Sequence, residues 1–225
     1  MENLNNFGDI SAEEIQFAVA ESYKTIRTNL LFLLSSSAGC KSLTVSSPRA
    51  GDGKSTNAIN ISIAFSQLGK RVLLIDADLR RPSIHKKLRI ANTEGLSGIL
   101  AGFCDSQNAI VNISPCFDVL PSGAVPPNPS ELLASPAYEN MLSTLRLAYD
   151  IIIIDTPPIG VVSDALSIAS KTDGLLLVVK EKVTVHTDME RILDNLKLSN
   201  VRILGAVLNS AVTEENYTHY KSTYY

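Results

Sequence analysis

A glycine-rich segment in the first quarter of the chain has the residue types that hold nucleotide phosphates. Residues 46–56 read SSPRAGDGKST and lie between an apolar, strand-like run and a helix-like run. Glycines let backbone N–H groups turn around phosphate oxygens, lysine supplies positive charge to the β- and γ-phosphates, and a hydroxyl reaches Mg²⁺. We predict that nucleotide binding uses Gly51, Asp52, Gly53, Lys54, Ser55 and Thr56.

The glycine-rich segment departs from the strict G-x-x-x-x-G-K-[ST] pattern, because Pro48 stands where that pattern has glycine. A structural turn is therefore the alternative to a phosphate loop. The flanking strand and helix, together with carboxylates elsewhere in the chain, favour the phosphate loop.

Three aspartates follow apolar runs that have the length of strands. Asp76 and Asp78 end the segment VLLIDAD, and Asp155 ends IIIID. Ligands of open parallel sheets bind at the carboxyl ends of the strands, where a carboxylate holds Mg²⁺ directly or through water. One such aspartate is more often a helix cap or turn residue. Three of them beside a phosphate loop favour phosphoryl transfer, which requires a metal, positive charge and a positioned nucleophile.

Phenol groups are concentrated at the end of the chain. Four of the seven tyrosines lie in the last nine residues: Tyr217, Tyr220, Tyr224 and Tyr225. A solvent-exposed terminus is the simplest interpretation. After a phosphate-binding domain, however, clustered phenols suggest an enzyme that carries its own acceptor. We predict one domain over residues 1–210 and a flexible tail over 211–225.

The elements that position these residues form an α/β pattern. The predicted strands are nearly continuous runs of Val, Ile and Leu that alternate with helices, which indicates a mostly parallel sheet covered by helices on both faces. Predicted helices cover 11–34, 54–68, 83–88, 95–102, 135–148, 164–171 and 186–198. Predicted strands lie within 42–47, 71–78, 117–123, 149–158, 174–180 and 202–210.

Composition excludes several classes of protein. The chain has 225 residues, 45% hydrophobic and 19% charged, which is typical of a globular domain. A net charge of −3 gives no general attraction to nucleic acid. Three widely spaced cysteines fit neither a zinc site nor a disulfide framework and indicate a reducing cytosol. No apolar run approaches the ~18–20 residues that span a bilayer, so we expect membrane association only through a partner.

Four segments together carry a family resemblance over nearly the whole chain. SSPRAGDGKST, VLLIDADLRRP, GAVPPNPSELLAS and IIIIDTPP resemble the bacterial tyrosine kinases (BY-kinases) of capsular and exopolysaccharide synthesis. The resemblance implies a P-loop NTPase fold, with Lys54 and Ser55 in Walker A, Asp76 and Asp78 in Walker A′, and Asp155 in Walker B. It also implies ATP and Mg²⁺ as cofactors and autophosphorylation of the C-terminal tyrosines.

This resemblance suggests a role for each site residue. Lys54 would stabilise charge on the phosphates, while Ser55, Asp78 and Asp155 would hold Mg²⁺ directly or through water. Asp76 would accept or orient the phenol proton, or would instead be a metal ligand. Asn209 would hydrogen-bond adenine or serve only in a turn. For Arg80 and Arg81, contacts with phosphates or an acidic tail and a purely structural role are both open.

A nucleotide-switch ATPase of the division-site or partitioning type is the alternative function. Those proteins resemble K-G-G-x-G-K-T around the loop, whereas this chain has Arg49 and Ala50 in the first positions. The sequence also shows no basic amphipathic C-terminal helix of the kind that binds membranes. Both departures favour the kinase. A non-catalytic module that binds nucleotide only for structure is a third hypothesis.

The first predicted helix bears on assembly. Glu21, Lys24 and Arg27 are spaced by three residues on one helical face, which a simple intrahelical ion pair would also explain. BY-kinases use E-x-x-R-x-x-R there for contacts between subunits of a ring, and this chain has Lys24 in place of the first arginine. The resemblance implies a ring-shaped homo-oligomer, a separate transmembrane activator and a cognate phosphotyrosine phosphatase.

Overall fold

The computed structural model describes residues 12–35 and 39–210, so the tail tyrosines Tyr217, Tyr220, Tyr224 and Tyr225 lie outside the described residues. Helices and strands alternate as the sequence predicts. In chain order the elements are α1 Ala12–Leu33, β1 Lys41–Ser46, α2 Lys54–Ser66, β2 Val72–Asp76, α3 Ile84–Leu88, α4 Leu96–Leu100, α5 Ser106–Ala109, β3 Val111–Ser114, β4 Phe117–Leu120, α6 Pro129–Ala134, α7 Pro136–Ala148, β5 Ile151–Asp155, α8 Asp164–Ala169, β6 Gly174–Lys180, α9 His186–Leu198 and β7 Ile203–Asn209.

One seven-stranded sheet organises the fold, in the order β3-β4-β2-β5-β1-β6-β7. Every neighbouring pair is parallel except β3 and β4. Strands β1, β2 and β5 are buried along nearly their whole length, as their apolar runs require. The predicted mostly parallel sheet is confirmed.

Helices cover both faces of the sheet and enclose separate apolar cores. Along β2, Val72 and Leu74 join a core that includes residues of α1 and α2. Leu73 and Ile75 point to the opposite face and join a core with residues of α7 and α8. This alternation follows from the two-residue period of a strand. The prediction of helices on both faces is confirmed.

Strand order brings the predicted site residues to one edge of the sheet. β5 lies between β1 and β2, and in its register Asp155 is level with both Val45 and Asp76. The phosphate loop leaves the end of β1, so the two aspartate-bearing strand ends lie beside it. A local contact fixes this geometry, because the Ala77 N–H donates to the Asp155 carbonyl over 2.8 Å.

Three short elements were not predicted. α6 lies within the segment interpreted as a Pro-rich loop, where Pro129 occupies a first-turn position that proline tolerates. α5 spans only four residues, and β3 is an antiparallel edge strand without regular alternation of burial. Such short segments have too few residues to show a period. Among the described residues, no helix is both long and apolar enough to cross a membrane.

Tyr138 offers a test of the packing on one face of the sheet. Its side chain is fully buried, and Lys171 Nζ lies 5.4 Å from the ring centroid. Its hydroxyl has no hydrogen-bond partner within the described residues. Because a buried unsatisfied hydroxyl costs roughly 1–3 kcal/mol, we expect Tyr138→Phe to leave the free energy of unfolding unchanged or slightly higher.

The matched variant Tyr138→Ala removes the ring as well and is expected to lower the free energy of unfolding by about 3–5 kcal/mol. Urea denaturation measures both values. A loss of more than about 1 kcal/mol in Tyr138→Phe would contradict the prediction, because it would mean that the hydroxyl forms a stabilising bond.

Candidate active site

The loop between β1 and α2 has the backbone geometry of a phosphate cradle. Gly51 and Gly53 have φ angles of 89° and 97°, a region that residues with a side chain rarely adopt. Gly53 is also crowded, because a Cβ there would lie 2.2 Å from Asn209 Nδ2. No side chain caps the first turn of α2, so its N-terminal N–H groups and helix dipole are available to an anion.

Asp52 holds this loop in place from within. Its side chain is buried and accepts a 2.8 Å hydrogen bond from the Arg49 N–H. Its carbonyl accepts a 2.8 Å bond from Asn209 Nδ2 at the end of β7. Arg49 itself forms an ion pair with Asp188 of α9. Asp52 and Asn209 therefore connect the loop to the end of β7, and Arg49 connects it to α9.

The Lys54 ammonium group lies at the centre of the site. Its Nζ donates to Asp78 Oδ2 over 2.8 Å, lies 3.5 Å from Asp155 Oδ1, and is 3.3 Å from Ser55 Oγ. Burial disfavours the charged form, but the carboxylates of Asp155 and Asp78 outweigh it and raise the pKa of Lys54. Lys54 thus stays positively charged in a buried position.

Asp76 is held by backbone N–H groups rather than by a cation. Its Oδ2 accepts from the N–H groups of Ser83 and Ile84 over 3.1 and 3.0 Å, and its Oδ1 accepts from the Asp78 N–H over 3.3 Å. Burial, reinforced by the charge of Asp155, nevertheless raises the pKa of Asp76 to about 7. A carboxyl group with this pKa exchanges a proton readily near neutral pH.

Asp155 has two carboxylate oxygens that are available to bind a ligand. The residue is fully buried, and neither of its carboxylate oxygens has a hydrogen-bond partner within the described residues. Burial raises its pKa to about 6, against the opposing charge of Lys54. Buried carboxylate oxygens of this kind normally have a hydrogen bond or a metal ion.

The neighbouring oxygens fit Mg²⁺ in chemical type. Ser55 Oγ lies 3.0 Å from Ser83 Oγ and 3.3 Å from Lys54 Nζ, which also contacts Asp78 and Asp155. Mg²⁺ prefers hard oxygen ligands and usually keeps several waters and phosphate oxygens. Residues 12–35 and 39–210 contain no group of three or more His, Cys, Asp or Glu side chains arranged around a metal. By their oxygen chemistry, Ser55, Asp78 and Asp155 are the residues that would hold a Mg²⁺ bound with a nucleotide.

The remaining predicted residues lie outside this centre. Thr56 is exposed and its Oγ1 accepts a 3.0 Å hydrogen bond from Lys87 Nζ. On α1, Lys24 pairs with Glu21, while Arg27 Nη1 donates to the Ala64 carbonyl of α2 over 2.8 Å. These three α1 side chains thus have partners within the chain, and their role between subunits stays a prediction.

Comparisons with known proteins agree with this geometry. A family described as an AAA domain matches residues 40–204. The tyrosine-protein kinase YwqD of Bacillus subtilis (strain 168) is 39% identical over 191 residues, which are 84% of this chain and 80% of YwqD. The tyrosine-protein kinase CpsD of Streptococcus agalactiae is 36% identical over 206 residues, 89% of each chain. The kinase domain of Escherichia coli tyrosine kinase ETK has a TM-score of 0.82 and 32% identity, over 87% of this chain and 76% of that one.

The chain belongs to the bacterial tyrosine kinase family. Membership confirms the resemblance, the P-loop NTPase fold and the assignment as a protein-tyrosine kinase of the Gram-positive type. The predicted roles of individual site residues are not decided by membership. They stay predictions that rest on the geometry described above.

A buried carboxylate outside the predicted set supports the site from one side. Arg80 Nε donates to Asp164 Oδ2 over 2.8 Å, and Ser130 Oγ donates to Asp164 Oδ1 over 2.7 Å. Burial opposes ionisation, but the bonds from Arg80 and Ser130 keep the pKa of Asp164 below its usual value. Arg80 therefore has a structural role and joins the segment after β2 to α6 and α8. No sequence signal indicated this link, because Arg80, Ser130 and Asp164 lie in three separate segments.

Asp76 gives the BY-kinase site a measurable pH dependence in the absence of nucleotide. Its pKa of about 7 exceeds the ordinary value of 3.8, so between these values the folded protein binds more protons than the unfolded chain. The stabilisation of the folded protein by this proton is full below pH 3.8, the unfolded-state pKa, and is lost as pH rises through about 7, the folded-state pKa. Between about pH 5 and 7.5 we expect the free energy of unfolding of the wild type to fall by about 2–3 kcal/mol more than that of Asp76→Asn.

Urea denaturation at the two pH values measures this difference. Asp150→Asn is the matched control, because Asp150 is a carboxyl group at the opposite edge of the sheet whose pKa is lowered, chiefly by the Arg71 N–H bond. That variant should keep the wild-type dependence in this range. An Asp76→Asn protein with the wild-type pH dependence would contradict the prediction.

Proposed function

We propose that this kinase transfers the γ-phosphoryl group of MgATP to its own C-terminal tyrosines, between subunits of a ring-shaped oligomer. The observation that carries the proposal is the convergence of Lys54, Asp76, Asp78 and Asp155 at the head of the phosphate loop. The acceptors are Tyr217, Tyr220, Tyr224 and Tyr225. Release of phosphate to water, without phosphotyrosine, would instead indicate a nucleotide-switch ATPase.

Positioned charge performs most of the chemistry in this proposal. Lys54 and the N–H groups of the loop and α2 stabilise negative charge on the phosphates. Phosphoryl transfer requires positively charged and N–H donor groups at these positions. Ser55, Asp78 and Asp155 would hold Mg²⁺, and the ion would supply positive charge at the phosphate oxygens. Asn209, which borders the loop through Asp52, contacts the adenine.

Asp76 accepts the phenol proton in this proposal. Three N–H donors orient its carboxylate, and a carboxylate has about four acceptor positions, so one position is left for a phenol. Its pKa of about 7 suits proton transfer at neutral pH. Because Asp76 is completely buried here, the acceptor tyrosine reaches it only after nucleotide binding rearranges the neighbouring side chains.

The wider role follows the family resemblance. We propose a cytoplasmic enzyme that is stimulated and held at the membrane by a separate transmembrane activator. A phosphotyrosine phosphatase would remove the phosphoryl groups from its tyrosines. It would regulate the synthesis and export of a capsular or exopolysaccharide. Glu21, Lys24 and Arg27 would form the contact between subunits, and the exposed Glu21–Lys24 pair is weak enough to exchange partners.

Replacing Lys54 with methionine tests the catalytic proposal directly. The variant removes the positive charge at the phosphates, and we expect tyrosine phosphorylation from labelled ATP to fall by a factor of about 10² or more. Lys70→Met is the matched control, because Lys70 is exposed at the turn after α2 and should not affect the rate. Circular dichroism establishes that both variants fold. Undiminished phosphotyrosine in a folded Lys54→Met protein would contradict the proposal.

A mixing experiment tests transfer between subunits. The inactive Lys54→Met protein is combined with an active copy whose four tail tyrosines are replaced by phenylalanine. Transfer in trans predicts phosphotyrosine on the Lys54→Met chain, which mass spectrometry locates. The Lys54→Met protein alone is the control. Absence of phosphotyrosine in the mixture, while the wild type phosphorylates itself, would mean that each chain modifies only its own tail.

A further inference from the structure

Positive charge is concentrated in and around α3, beside the phosphate loop. From Leu79 to Thr93 the sequence LRRPSIHKKLRIANT contains no acidic residue. We define the α3 basic patch as the four exposed side chains of this segment that lack a carboxylate partner: Arg81, Lys86, Lys87 and Arg89.

The described part of the chain does not neutralise the α3 basic patch. None of its members forms an ion pair among residues 12–35 and 39–210, whereas Arg80 next to it is paired with Asp164. The positive charge of the patch affects the neighbouring His85. Its pKa is lowered by burial and further by the charge of Lys86. Uncompensated positive charge at a cleft attracts an acidic partner.

The patch is anchored to the catalytic residues. The N–H groups of Ser83 and Ile84 bind Asp76, and Lys87 Nζ donates to Thr56 Oγ1 over 3.0 Å. A helix rises about 1.5 Å per residue, so the five-residue α3 places the patch within roughly 10 Å of its anchored end. A ligand on the patch would therefore lie beside the reacting groups.

One of the four tail tyrosines has a complementary neighbourhood. Glu214 and Glu215 directly precede Asn216 and Tyr217. In an extended chain, residues two positions apart are separated by about 6.6–7 Å, and their side chains lie on the same side. The other acceptors follow His219 or Lys221 and have no acidic residue within the three preceding positions.

We propose that the α3 basic patch binds the acidic pair Glu214 and Glu215 of a second copy of this chain, and so selects Tyr217 over the other tail tyrosines. The inference rests on the proposed transfer between subunits and adds a substrate preference to it. An acidic residue one to three positions before tyrosine is the feature recognised. Because the contact is between exposed charges, the preference weakens as salt concentration rises.

Full-length proteins test this preference in the mixing assay. The acceptor is Lys54→Met, with or without Glu214→Gln and Glu215→Gln, and the enzyme is the active copy without tail tyrosines. Mass spectrometry follows the initial rate at Tyr217 relative to Tyr225 in the same chain. Exposed charge pairs contribute about 1.5- to fivefold each, so the glutamine acceptor, which loses two charges, should lose about two- to twenty-five-fold at Tyr217.

The second arm neutralises the patch on the enzyme. Lys86→Gln with Arg89→Gln removes two of the four patch charges and should reduce the Tyr217 to Tyr225 ratio by a similar factor and make the difference between the two acceptors smaller. Lys70→Gln with Lys197→Gln is the matched control, since it removes two exposed positive charges away from α3 and should leave the ratio unchanged.

The outcomes are separable. Equal rates at Tyr217 for both acceptors, with transfer intact, would overturn the patch proposal and leave the proposed function standing. A preference of undiminished size in the Lys86→Gln, Arg89→Gln enzyme would also overturn it. Absence of phosphotyrosine on every acceptor, with the wild-type enzyme copy, would overturn transfer between subunits and this inference with it.

Discussion

The buried ion pair of Lys54 with Asp78 and Asp155 is the interaction on which the site depends. Three carboxylates, including Asp76, converge there because β5 lies between β1 and β2 in a parallel sheet. Without a cation, carboxylates buried this closely would not all ionise. Lys54 supplies that cation from the first residue of α2, and so the phosphate loop and both aspartate-bearing strands are joined through one ammonium group.

The same arrangement connects nucleotide binding with charge balance. In the structure the Lys54 charge is shared between two carboxylates, while burial raises the pKa values of Asp76 and Asp155 and the charge of Asp155 raises the pKa of Asp76 further. A bound nucleotide would add phosphates that attract Lys54, and Asp78 and Asp155 would then hold its Mg²⁺. Every buried charge would stay paired in that state, whereas a nucleotide without metal would leave Asp155 and the phosphates in repulsion.

Much of this could be predicted from sequence, because the signals are local. Apolar runs ending in aspartate mark strand ends, and a Gly-Lys-Ser turn marks a phosphate loop, so Lys54, Asp76 and Asp155 were found without knowledge of strand order. The contacts that join distant segments could not be found that way. Asp164 with Arg80 and Ser130, and Asn209 with the Asp52 carbonyl, depend on how the connections pack, for which no single segment carries a period or spacing.

Helix α1, which carries the predicted subunit contact, packs directly against α2, the helix that follows the phosphate loop. Arg27 donates to a carbonyl of α2, and Tyr23 donates to Asn57 Oδ1 over 3.2 Å near the start of the same helix. Since α2 begins at Lys54, a contact on the exposed side of α1 lies one packed layer from the phosphate loop. Assembly through Glu21 and Lys24 would thus act on the helix that presents Lys54, and α3 contacts the first turn of the same helix through Lys87 and Thr56.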